Sequence, residues 1–154
     1  MPRLCRWPPI LKEGLCLSGP FDNSPQDRWE GHEVQRKSIL DFISNENIKN
    51  VVFLSGDVHV AFAFKLIKTD NQQVIARQIT SSAFNWGIGL NDCNFGQTSP
   101  LKGTNGAYKP ESLTGKFITK DNFCRVVVDE GKVMVNFYDA KSGESLRYFD
   151  FSLE

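Results

Sequence analysis

A carboxylate and an imidazole stand two positions apart in the segment LSGDVH at positions 54–59 of this 154-residue chain. In an extended loop, this spacing puts the side chains of Asp57 and His59 on the same side of the backbone. Carboxylate oxygens and imidazole nitrogens are both common metal ligands in proteins. We therefore expect Asp57 and His59 to lie together where a metal ion and an anionic substrate could meet.

The same pair also fits a purely structural role. Asp57 can cap the turn that follows the strand, while His59 forms a hydrogen bond with a backbone carbonyl. The chain has two histidines, His32 and His59. A metal site would therefore draw most of its ligands from oxygen atoms or from another protein segment. The spacing alone leaves both interpretations open.

A second polar and aromatic cluster precedes these residues. The segment DRWEGH at positions 27–32 is followed by Arg36. One interpretation is a wall on the substrate side, just before a helix, built from Asp27, Trp29, His32 and Arg36. The other is a helix start, in which Asp27 or a neighbour caps backbone N–H groups and Trp29 anchors the core.

A helix followed by a buried strand would position both clusters. Apolar side chains at 34, 39, 42 and 43 fall near one face of a helix expected from about Glu33 to Ser44. The run VVFL at 51–54 is continuously apolar, as in a parallel strand buried on both faces. Gly56 then allows backbone angles that other residues avoid. Ligands gather beyond the carboxyl ends of such strands.

The rest of the chain favours β-structure. We expect a hairpin from the runs at 60–68 and 73–80, a long loop over 81–111, and four further strands at 115–119, 122–128, 132–138 and 145–151. Residues 1–26 contain five prolines and are expected to be an irregular N-terminal segment, with one domain over 27–154. The predicted fold class is α/β, a mixed α+β arrangement of one helix and a β-rich tail.

Composition excludes several classes of function. Lys and Arg number 18 and Asp and Glu number 18, so the net charge is zero and no basic nucleic-acid-binding patch is expected. No apolar run approaches the roughly 20 residues of a membrane span. The four cysteines lack metal-like spacing and are expected to be free thiols. We identify no signal peptide in the first residues, which favours the cytoplasm but leaves the compartment open.

The two clusters together resemble a known family. The segment DRWEGHEVQRKSILDFI, followed by NIKNVVFLSGDVHVAFAFKL, is similar to the C-terminal half of the alkaline phosphatase D (PhoD-like) metallophosphoesterases. In that family a D-x-W-x-G-Y segment leads into a helix that begins with Arg, and a strand then delivers G-D-V-H. The segment ITSSAFNWGI and the tail are less sharply similar. The resemblance covers most of the chain from about Asp27 and implies the C-terminal part of a metallophosphoesterase-like β-sandwich domain.

The resemblance implies an activity and roles for individual residues. It implies hydrolysis of phosphomonoesters or phosphodiesters with iron and calcium, and it makes Asp57 and His59 catalytic metal ligands. Asp27, Trp29, Gly31 and Arg36 match the upstream motif and would support the substrate pocket. His32 stands where the family more often has Tyr, so position 32 either touches the phosphate-ester substrate or is an ordinary exposed imidazole.

The resemblance also implies that part of the site is absent. The family's earlier half supplies an Asp-containing first motif, a bridging Asp, an Asn and another His on preceding βα units, and residues 1–26 are not expected to supply those motifs. The metal site would then be incomplete unless an N-terminal half or a second chain completes it. Two alternatives remain: a non-catalytic β-rich binding or interaction module derived from the family, and an independent β-rich ligand-binding protein with a coincidental GDVH.

Overall fold

The structure, a computed structural model, describes residues 29–56, 59–82, 84–85 and 100–154, and only the backbone of residues 29 and 30. A short 3-10 turn at Trp29–His32 leads directly into helix α1, Glu33–Asn45. Seven strands follow: β1 Val52–Ser55, β2 Phe62–Lys68, β3 Val74–Thr80, β4 Tyr108–Ser112, β5 Asn122–Asp129, β6 Lys132–Asp139 and β7 Ser145–Ser152. Within these described residues, no helix has the length and apolar character needed to cross a membrane.

The first four strands form one sheet in the order β1-β3-β2-β4. β1 runs parallel to β3, as its apolar run predicts, whereas β2 runs antiparallel to both β3 and β4. The expected burial of β1 on both faces is wrong, because Leu54 is 61% exposed. In the described part of the chain β1 has one partner strand, and its other edge is open.

Helix α1 packs on one face of this sheet, but with a different stripe of side chains from the one expected. Its buried residues are Arg36, Leu40 and Ile43, whereas Val34 and Phe42 are 83% and 59% exposed. Positions 36, 40 and 43 form a continuous helical stripe. Arg36 can be part of it because its guanidinium donates a hydrogen bond to the Lys102 carbonyl.

Strands β5, β6 and β7 form a second, antiparallel sheet. Its inner face packs Val133, Val135 and Phe137 against Ala63 and Ile79 of the first sheet. The chain therefore forms three layers, a helix and two sheets, which confirms the mixed α and β composition and the β-rich tail. The two-residue turn between β5 and β6 has φ of 42° at Glu130 and 80° at Gly131. Positive φ at both positions is the requirement of a type I′ turn.

Two expected elements differ from the structure. The long loop predicted over 81–111 contains the start of β4, which pairs with β2 and has Pro110 within it. Proline is tolerated there because β4 lies at the edge of the sheet in the described residues. The strand predicted at 115–119 is wrong, because its pairing is an isolated bridge between Ile118 and Ala61. In the first case the pairing with β2 outweighs a weak local propensity, and in the second a local propensity finds no partner strand among the described residues.

Candidate functional site

The parallel strands β1 and β3 end side by side in a cluster of polar side chains. Ser55 and Thr80 are register partners, and their hydroxyl oxygens are 2.7 Å apart. The Gln78 amide donates to both hydroxyls, at 2.9 Å and 3.0 Å. Gln78 and Thr80 are buried. These hydrogen bonds fix the relative position of the two strand ends from which the adjoining loops leave.

Gly56 lies just beyond β1, where the chain passes close to β3. A Cβ atom at Gly56 would lie 3.1 Å from the Ser81 carbonyl oxygen. The Ser81 N–H donates to the Ser55 carbonyl at 3.1 Å and so extends the ladder past the end of β1. The φ of Gly56 is outside the left-handed region. The glycine is therefore favoured by this close approach and not by the unusual backbone angles expected from the sequence.

His59 lies on the loop that leaves the end of β1. Its backbone N–H donates to the Ser82 hydroxyl at 3.1 Å, which joins this loop to the segment after β3. The residue is half-buried, and its φ is 58°. The sequence-based expectation assumed an extended backbone, in which side chains two positions apart point to the same side. It therefore does not apply to His59, whose backbone is left-handed. Asp57 lies outside the described residues, so its proximity to His59 stays a prediction.

Asn122 joins the second sheet to this region. Its side-chain amide donates to the Ser82 carbonyl at 2.7 Å and to the Lys120 carbonyl at 2.8 Å. Its amide oxygen accepts a hydrogen bond from the Ser81 hydroxyl at 2.8 Å. The side chain is 1% exposed. Asn122 therefore positions the segment that also contacts His59.

Sequence reasoning missed these supporting residues. The run TSS at positions 80–82 marks a polar strand end. No local pattern distinguishes Asn122 from other residues that begin strands. Its role depends on contacts across 40 and 41 positions of sequence, with Ser82 and Ser81.

The upstream cluster belongs to a different local network. Arg36 donates to the Lys102 carbonyl, and the Glu33 carboxylate lies 3.7 Å from the Lys102 ammonium. His32 is exposed. Trp29 begins the 3-10 turn, and Asp27 lies outside the described residues. The structure thus brings His59 together with Ser82, and it joins Arg36 to the segment before β4.

The clearest titration shifts near α1 belong to a structural contact. The Tyr108 hydroxyl donates to the Asp41 carboxylate at 2.9 Å. Burial, followed by this contact, raises the pKa of Tyr108 to about 12. Hydrogen bonding to Lys37 lowers the pKa of Asp41. Tyr108 pairs with Lys68, at the end of β2 remote from Thr80. This contact therefore fixes the helix on the sheet, away from the polar strand ends.

The described residues do not form a complete metal site. Across the ranges that the structure describes, no group of three or more His, Cys, Asp or Glu side chains could hold an ion. His59 offers one imidazole, which is too few ligands for a tightly bound divalent ion. A metal site here would need further ligands from outside the described residues, where Asp57 also lies.

A comparison with family models identifies the family to which this chain belongs. The family model described as PhoD-like phosphatase matches residues 20–135, more than half of the chain. This chain belongs to the PhoD-like phosphatase family.

Two further comparisons agree with this membership. The chain is 45% identical over 40 residues to alkaline phosphatase D of Bacillus subtilis (strain 168), a match covering 26% of this chain and 7% of that protein. It is similar to the solved structure of PhoD with a TM-score of 0.55 at 17% identity, over 82% of this chain and 25% of the other. At that identity the likeness shows the fold. The chain thus spans about a quarter of the solved relative.

Proposed function

We propose that this chain is the C-terminal portion of a metal-dependent phosphoric ester hydrolase, with Asp57 and His59 as metal ligands and catalytic residues. The observation that carries the proposal is the His59–Ser82 hydrogen bond of 3.1 Å at the carboxyl ends of two parallel strands. This is the position where α/β sheets bind ligands, and it lies within the residues that match the family. Phosphomonoesters or phosphodiesters are the proposed substrates.

The metal ions, for which iron and calcium are our candidates, would supply Lewis-acid activation of the phosphate and of a water molecule. The chain's own residues hold the ligand loop in place. Ser82 binds the backbone of His59, and Asn122 in turn binds Ser82. On the substrate side we place Asp27, Trp29 and His32. Arg36 is buried and acts through the Lys102 carbonyl as a support of that wall.

An N-terminal half, as part of the same polypeptide or as a second chain, completes this proposed site. The open edge of β1 can accept a further parallel strand. The exposed Leu54 side chain, which projects from a face of β1, would be covered by other parts of the added segment. The added segment would bring the remaining oxygen and imidazole ligands. The two packed sheets would then be the C-terminal part of a metallophosphoesterase-like sandwich.

A phosphodiesterase assay tests this proposal. We expect the purified chain, supplied with iron and calcium, to hydrolyse bis(4-nitrophenyl) phosphate faster when a separately expressed segment carrying the rest of a PhoD-like domain is added. Asp57→Asn and His59→Ala should abolish the gain. Asp129→Asn is the matched control, because Asp129 is exposed at the end of β5. Equal hydrolysis by the wild type and both site variants would remove Asp57 and His59 from the mechanism.

A non-catalytic interaction module is the second candidate function. The observation that favours it is the Leu54 side chain, which is 61% exposed on β1 beside the open strand edge. Exposed apolar side chains near an open strand edge are typical of interaction sites. Stable complexes with the added segment, without any metal-dependent hydrolysis, would favour this candidate.

A further inference from the structure

The hydroxyl cluster at the ends of β1 and β3 has more protons than its contacts use. The Gln78 amide has two N–H protons, and the hydroxyls of Ser55 and Thr80 have one proton each. Three contacts join these groups, at 2.9 Å, 3.0 Å and 2.7 Å, and each hydrogen bond uses one proton. One hydroxyl therefore keeps a proton that nothing within the cluster accepts.

The opposite orientation of the Gln78 amide does not satisfy this cluster. The amide oxygen would then face both hydroxyls, which have only two protons between them. The three contacts would share those two protons, and one pair of oxygen atoms would touch without a proton between them. The 2.7 Å between the Ser55 and Thr80 oxygens is the distance of an O–H···O hydrogen bond. The N–H protons of the amide therefore face the hydroxyls.

The spare proton belongs to Ser55. Thr80 is 0% exposed, and its hydroxyl has no hydrogen-bond partner among the described residues besides Ser55 and Gln78. Leaving the Thr80 proton without an acceptor would cost free energy, so Thr80 donates to Ser55. Ser55 is half-buried, and its own proton can point out of the cluster. A hydroxyl that accepts two hydrogen bonds is polarised and becomes a stronger donor.

This donor lies on the face of the first sheet that α1 covers. Thr80 is the register partner of Phe62, which packs in the same core cluster as Leu40 of α1. Ser55 shares that face because it is the register partner of Thr80 on β1. Ser55 is also the last residue of β1. Its hydroxyl therefore lies at the carboxyl end of the strand, on the helix side of the sheet.

The His59 loop joins the sheet on the same face. The Ser81 hydroxyl binds Asn122 of the second sheet, on the opposite face from Thr80. Side chains alternate along extended backbone, so Ser82 returns to the face of Thr80. The Ser82 hydroxyl accepts the His59 N–H there, at 3.1 Å. The outward donor and the attachment point of the His59 loop are therefore at the same strand ends and on the same face.

We propose that the Ser55 hydroxyl binds the substrate by donating a hydrogen bond to a phosphoryl oxygen. The identity of this ligand rests on the proposed function. Hydrogen bonds to an ionised acceptor are the strong ones, so an anionic oxygen is the ligand that a polarised donor favours. Ser55 lies before the GDVH motif and is thus a substrate-binding residue in addition to the proposed metal ligands.

A titration of the full chain with inorganic phosphate in EDTA tests this donor in the absence of metal. Backbone 1H–15N signals at positions 55 and 82 report binding. We expect Ser55→Ala to weaken phosphate binding by about tenfold to a hundredfold, the range for one hydrogen bond to a charged group. Ser55→Thr keeps the hydroxyl in a residue that suits a strand, so it should keep the wild-type affinity.

Thr80→Val is the matched control. Valine has nearly the shape of threonine, and the change removes a hydroxyl from the buried end of the same cluster. Thr80→Val and Ser55→Ala should both destabilise the fold, so binding is measured at a temperature where both variants are folded. Ser55 keeps its outward proton in Thr80→Val, and the phosphate affinity should therefore stay within about threefold of the wild type.

The outcomes separate this proposal from the proposed function. Equal losses of phosphate affinity in Ser55→Ala and Thr80→Val would overturn the proposal, because the cluster would then act only by fixing the strand ends. A wild-type chain whose signals at positions 55 and 82 do not respond to phosphate would overturn it as well. Phosphate binding that depends on Ser55, together with hydrolysis that is unchanged in Asp57→Asn, would support the donor and contradict the proposed metal site.

Discussion

The hydroxyls of Ser55 and Thr80 lie 2.7 Å apart at the paired ends of β1 and β3, and the Gln78 amide donates to both. These strands are parallel neighbours separated by 25 positions in sequence. The contact connects the strand that leads to His59 with the strand that leads to Ser82. This hydrogen-bond cluster inside the sheet therefore fixes the strand ends from which the two loops of the candidate site leave.

Removing one hydroxyl of this cluster should destabilise the fold. In Ser55→Ala, the Gln78 amide loses one acceptor and the Thr80 hydroxyl loses its neighbour in a buried setting. We expect a loss of about 1–2 kcal/mol in the free energy of unfolding, measured by urea denaturation. Ser38→Ala is the control, because Ser38 is exposed on α1 and its substitution should raise the free energy of unfolding slightly, by at most about 0.7 kcal/mol, through the higher helix propensity of Ala. Equal effects of the two substitutions would contradict the role given to the cluster.

Replacing Asn122 by Asp should disturb the site, although the two side chains are nearly the same size. The Asn122 amide donates to two carbonyl groups, and a carboxylate would face them without a proton to donate. The expected loss in free energy of unfolding is about 1–3 kcal/mol. The amide resonance of His59 should shift as well, because Ser82 connects the two residues. These effects are measured by urea denaturation and by 1H–15N correlation spectra.

Asn136→Asp is the control for this change. Asn136 accepts a hydrogen bond from the Ser145 hydroxyl through its amide oxygen, and a carboxylate oxygen can accept in the same way. We therefore expect little change in stability and none at His59. A His59 amide that is insensitive to Asn122→Asp would show that Asn122 does not position the loop.

Acid should destabilise the second sheet through Asp139. Backbone hydrogen bonds from Lys141 and Ser142, together with the Lys120 ammonium, lower the pKa of Asp139 from its usual value of 3.8. A carboxylate with a lowered folded-state pKa contributes stability that is present above pH 3.8 and is lost as the pH falls through the folded-state pKa. Asp139→Asn should therefore show a smaller loss of stability between pH 4 and pH 2 than the wild type. Identical pH profiles of unfolding would contradict this assignment.

Alkaline pH should act through Cys124, a free thiol in the described part of the chain. Burial raises the pKa of Cys124 from 9.0 to about 11. A raised folded-state pKa contributes stability below pH 9 that is lost as the pH rises toward 11. We expect slow alkylation of Cys124 by iodoacetamide at pH 8, since the thiolate is the reactive form. Mass spectrometry after mild proteolysis measures the labelling, and labelling as fast as in the urea-unfolded chain would contradict the shift.

The sequence predicted those features that depend on local pattern. The bounds of α1 were expected from its periodicity, and the parallel pairing of β1 was expected from its apolar run. The buried stripe of α1 was not predicted, because Arg36 reaches a hydrogen-bond acceptor in a segment 66 positions away. β4 was missed for the same reason, since its pairing with β2 outweighs a weak local strand signal.

In the candidate site, too, local pattern predicted some features and missed those that depend on distant residues. His59 was proposed from the spacing of two metal-binding side-chain types at a strand end, and its role as a ligand stays a prediction. Its left-handed backbone was not predictable, because the conformation depends on Ser82, which arrives from the end of another strand. Asn122 acts entirely through contacts with distant residues and was therefore missed.

We propose above all that His59 and Asp57 are ligands in the same metal site. The two histidines of the chain allow a direct test. Imidazole 1H–15N spectra should be recorded during titration with Mn²⁺, a paramagnetic divalent probe. We predict that the His59 ring signals broaden at lower Mn²⁺ concentration than those of the exposed His32, and that Asp57→Asn removes this difference while Asp129→Asn preserves it. Equal broadening of both histidines, or an unchanged difference in Asp57→Asn, would contradict the account.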